Sequence, residues 1–262
     1  MTEGARWREA VDSLRRDLTR VFGERLRSLL VYDAHGTFHL AANAEGKSAL
    51  GRASNHDAAP AAHPHEQRIH TMAVVESLRI DDLKACGALA AGWANRGLAT
   101  PLLMLPTELL RSLDAFPLEL SQIMAHHVLV AGSDPFEQLS VRTEDARRAC
   151  EVQARSHLLH LREGFIEAGG RPAAVAELVA ASSAPFRALL EGVARLQGSD
   201  ARTADALASY AEASLHLPAA LVRSVLQVAG PDDVDPSDAG RLFGECLDAT
   251  ERLTKIVDEW PR

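Results

Sequence analysis

Apolar residues recur along this chain with two different periods, and the change from one to the other divides it. Over residues 5–27, Trp7, Val11, Leu14, Leu18, Val21 and Phe22 fall at spacings of three and four, which predicts an amphipathic helix covering one face of a sheet. Residues 28–32, SLLVY, are continuously apolar and partly β-branched, the signature of a buried strand. Residues 37–41 are a second short run, read either as the hairpin partner of that strand or as a loop. Residues 42–67 turn to Ala, Gly, Asn, His and Pro with almost no large apolar side chain, and read as a mobile loop or insertion.

Order returns at residues 69–75, IHTMAVV, a predicted strand, followed by a helix over 81–95 with Asp81 and Asp82 as capping groups at its start. Residues 100–105 read as a strand, Pro106 and Thr107 open a short helix, and 116–123 and 127–131 read as two more strands. Alternation of strand and helix indicates an α/β or α+β sheet domain.

Beyond Val141 the strand signal disappears. Ala146, Ala149, Cys150, Ala154, Leu158, Leu161, Phe165 and Ala168 form one stripe, and Gly169-Gly170 ends that helix. Further helices are predicted over 172–196, with a kink or restart at Ser182-Ser183-Ala184-Pro185, over 202–215, over 218–228, and over 236–258, the last capped by Asp235 ahead of Pro236. The expected organisation is a sheet domain over 1–138 and a helical bundle over 139–262.

Composition narrows the function. The chain has 262 residues, 47% of them apolar, enough for two cores. Its net charge of −8 is evenly spread, with 14 basic and 17 acidic side chains in residues 1–140 and 14 and 19 in 141–262. Neither half has the cationic excess of a phosphate-backbone binder, so nucleic acid is not an expected partner. Cys86, Cys150 and Cys246 lie far apart on apolar faces and are expected as buried thiols. The amino-terminal 20 residues alternate charges, and no stretch reads as a membrane span, so a cytoplasmic protein is expected. The expected partner is another protein or a second copy of the chain.

Residues 114–139, DAFPLELSQIMAHHVLVAGSDPFEQL, with the long helix that follows, resemble a bacterial family of nucleotidyltransferase-fold proteins that carry a helical carboxy-terminal domain. The resemblance spans roughly Arg25 to Lys255 and is concentrated in Phe116–Glu119, His126-His127 and Gly132–Pro135. It implies a Gly-Ser turn after the first strand, to approach a triphosphate, and an Asp-x-Asp pair on the next, to hold two magnesium ions. This chain has Asp33-Ala34 at the first place and Arg68 and His70 at the second. A carboxylate facing a triphosphate about 4 Å away costs on the order of 4 kcal/mol at an effective dielectric near 20, and arginine cannot ligate magnesium. Glu119 is the candidate remnant of a third carboxylate, expected on a strand.

The resemblance therefore implies a catalytically degenerate member serving as a binding or scaffolding module. The first rival is an active nucleotidyltransferase, which would need magnesium and a nucleoside triphosphate and carboxylates such as Asp33, Glu76 and Glu119. The second is an interaction protein acting through its helical half. His56, His63, His65 and His70, with Asp57 and Glu66, are a candidate transition-metal cluster, but HxH in a Pro/Ala loop fixes no geometry and no cofactor is expected. His126-His127, at a strand start, point to opposite faces. His157 and His160 are read as a solvated helix face, and Ser182-Ser183 as a cap before Pro185.

Overall fold

A computed structural model describes residues 3–32, 38–42, 48–52, 68–228 and 230–260. It divides into two compact units, the first running to Val141 and the second from Arg142.

In the first unit α1 (Glu3–Phe22) ends where Gly23 takes a left-handed φ of 57°, and a 3-10 turn over Gly23–Arg25 leads into β1 (Leu26–Tyr32). The helix thus stops before residue 27, and the strand begins two residues earlier than SLLVY alone suggests. β1 pairs antiparallel with β4 (His70–Val75) on one side and with β6 (His127–Gly132) on the other. β5 (Leu102–Met104) pairs parallel with β4, giving the order β5-β4-β1-β6. The parallel step is made through α2 (Ile80–Asn95), as parallel neighbours require a crossover.

Both faces of this sheet are covered, which explains the continuous apolar runs. Leu29, Val31, Ala73 and Val75 face α1 and α2, meeting Leu14, Leu18, Phe22, Cys86 and Trp93. Leu30, Met72 and Val74 face the opposite way, toward Leu109 of α3 (Pro106–Ser112) and Leu120 and Ile123 of α4 (Pro117–Ala125). Arg25 clamps Asp82 of α2 through two hydrogen bonds of 2.7 Å, and Asp82 also accepts the Arg79 N–H at 2.9 Å. Asp82 is therefore a cap, as expected, and ties α2 to the 3-10 turn that leads into β1. Asp81 pairs with Lys84.

Two expectations fail here. Residues 116–123 are not a strand: the alternation Phe-Pro-Leu-Glu-Leu imitates period two, but Pro117 sits at the first helical position and Leu120 and Ile123, three apart, supply the buried face. Residues 37–41 do not pair with β1; β2 (Phe38–Ala42) pairs with β3 (Ser48–Arg52) in a separate two-stranded sheet. β3 lies within the segment read as loop.

The second unit contains α5 (Thr143–Ala168), α6 (Pro172–Leu196), α7 (Ala204–Leu215), α8 (Ala219–Gln227) and α9 (Ala239–Asp258). α5 ends on Gly169 in the left-handed conformation. α6 is one continuous helix with Pro185 inside it, so no restart occurs, and Ser182 donates to the Val179 carbonyl instead of capping. By length and composition α6 passes as a membrane span, the only described helix that does; Val179, Phe186, Leu189, Leu190 and Val193 are buried within the unit, which accounts for its apolarity. Arg187 of α6 donates to the carbonyls of Arg202 and Leu226, both at 3.1 Å, tying α6 to the approach of α7 and the end of α8. Asp235 holds a turn by accepting from Ser237, and α9 begins only at Ala239.

Gly132 closes β6 at φ 80°, and a Cβ there would lie 1.9 Å from the Arg27 carbonyl oxygen. Gly97 has a similar φ of 79° with nothing within 4 Å of the added Cβ. Gly97→Ala is expected to cost about 1 kcal/mol and Gly132→Ala at least about 3 kcal/mol, since the second adds a backbone clash to the conformational penalty. Urea denaturation of both variants checks this; equal losses would contradict the packing at Gly132.

Candidate functional site

The end of the sheet where β1 finishes gathers three side chains from distant parts of the chain. Tyr32 is the register partner of His70 on β4 and of His127 on β6. The Tyr32 and His70 rings lie 5.7 Å apart, tilted by 41°, and Tyr32 packs against the core on the α3 and α4 face. Burial pushes the Tyr32 phenol up from its ordinary value, so it is a neutral hydroxyl at pH 7.

His127 is fully engaged. Its Nδ1 is 3.0 Å from the Met124 carbonyl and 3.2 Å from that of Ile123, at the end of α4, while Nε2 is 3.3 Å from Asp134. Asp134 in turn accepts the Phe136 N–H at 2.8 Å, and the Phe136 ring meets His127 edge-on at 5.1 Å. Both imidazole nitrogens are thus taken up by contacts within the fold. His127 fastens α4 to the segment after β6.

Arg68 is half-buried in the bend before β4, and Ile69 between it and His70 is buried toward α2. The positions expected to hold paired aspartates are thus Arg68, just ahead of the strand, and His70 at its start. Asp33 and Ala34, where the Gly-Ser turn was expected, lie outside the described residues, as do His56, His63 and His65. Glu119 is corrected from strand to helix: it stands exposed in the first turn of α4, where a carboxylate complements the helix dipole. Glu76 follows Val75 at the other end of the sheet and pairs with Arg27. Since Val75 is the register partner of Leu26, Glu76 lies the length of β1, about 20 Å, from Tyr32.

No strand of the four-stranded sheet carries an acidic residue: β1 is LRSLLVY, β4 HTMAVV, β5 LLM and β6 HVLVAG. Among the described residues no group of three His, Cys, Asp or Glu is placed to hold a metal ion. All three thiols are buried and free, and burial raises each, Cys150 to about 12, so none is a ready nucleophile. Sequence reasoning missed Tyr32 and Asp134. The signal for Tyr32 was available, since it is the polar-tipped residue that closes the SLLVY run.

His157 also departs from expectation. It is 6% exposed, in the interior of the second unit near Phe186, and its Nε2 has no hydrogen-bond partner among the described residues; His160 is the solvated one.

Burial drives the His157 pKa from 6.5 down to about 4, with His160 adding repulsion. The unfolded chain therefore takes up a proton as pH falls through about 6.5 while the folded chain does not, so stability is full above that pH and is lost progressively down to about 4. His157→Leu is expected to remove on the order of 1–3 kcal/mol of acid sensitivity; urea melts at pH 7 and pH 5 compare the two proteins, and an unchanged difference would refute the assignment. Glu119→Ala is expected to change stability by no more than about 0.5 kcal/mol, as befits an exposed first-turn carboxylate. A larger loss in the same denaturation assay would mean that Glu119 is a structural partner.

No protein-family model matches the sequence, and no curated protein matches it. Among solved structures, the fold is similar to the crystal structure of the spectinomycin adenyltransferase AAD(9) from Enterococcus faecialis with ATP and spectinomycin, with a TM-score of 0.51 at 10% identity over 94% of this chain and 98% of that one. At that identity the likeness speaks to fold alone. The chain has a nucleotidyltransferase-like α/β domain followed by a helical bundle.

Proposed function

We propose that this protein is a catalytically degenerate member of the nucleotidyltransferase fold, serving as a binding or scaffolding module. One observation carries the reading: the sheet on which such enzymes mount their metal-binding carboxylates has none in any strand. Two magnesium ions need several oxygen ligands held within a few ångströms. At the end of β1 the described side chains offer a neutral phenol, Arg68, two imidazoles and a single carboxylate, Asp134, which is engaged with His127 and the Phe136 N–H.

The rival reading, an active nucleotidyltransferase moving a nucleoside monophosphate onto a small molecule or protein, draws support from the likeness to an adenyltransferase solved with ATP. Of its candidate carboxylates Asp33, Glu76 and Glu119, the first lies outside the described residues. Glu76 is engaged with Arg27 at the opposite end of the sheet, and Glu119 stands exposed on α4.

Isothermal titration with ATP and with GTP, each with and without magnesium, tests the proposal. The expected result is no magnesium-dependent binding of either nucleotide. Micromolar binding that disappears with EDTA would overturn it.

A further inference from the structure

We draw no further inference here: the strongest candidate, the cluster of Arg187, Glu191 and Arg195 along one face of α6 with Asp200 and Arg202 beside it, carries nothing, since Glu191 and Asp200 offset Arg195 and Arg202 while Arg187 is taken up by the carbonyls of Arg202 and Leu226, so that nothing in the structure points to a ligand there.

Discussion

Everything in the first unit depends on β1 being hydrogen-bonded along both edges and buried on both faces. Ser28, Leu29, Leu30 and Val31 are all buried, and successive side chains feed two separate cores. A strand in that position has room for charge only at its ends. At one end Arg25 and Arg27 reach Asp82 and Glu76; at the other, Tyr32 lies between His70 and His127. This second end is aromatic and imidazole, with the Asp134 carboxylate held by His127.

Much of the fold was legible in the sequence for this physical reason. A strand covered on both faces must be continuously apolar, so SLLVY and the run ending in Ala73–Val75 announced themselves, and the stripe on α5 was visible as period 3.6. The failures are equally physical. Phe116 to Leu120 alternates like a strand because a short helix with a proline at its first position needs few apolar residues, and the deciding pair, Leu120 and Ile123, is only one turn long. His157 follows Ala154 and precedes Leu161 at core spacing, so the pattern placed it inside, but residue type argued for solvent. The grouping of Tyr32 with His70 and His127 depends on strand register between distant segments, and no local pattern encodes that.

The likeness to an adenyltransferase and the absence of acidic strand residues belong together. A fold is set by core packing, and at 10% identity the cores are rebuilt with different side chains while the topology persists. Catalytic carboxylates contribute nothing to core packing and cost desolvation energy, so a shared fold does not by itself imply them.

The most direct test of the central claim is a crystal structure of the protein grown with manganese and a non-hydrolysable nucleoside triphosphate, read by anomalous scattering. The account predicts no manganese peak at the end of β1 beside Tyr32 and His70. A pair of peaks there, bridged by carboxylate oxygens of this chain, would contradict it.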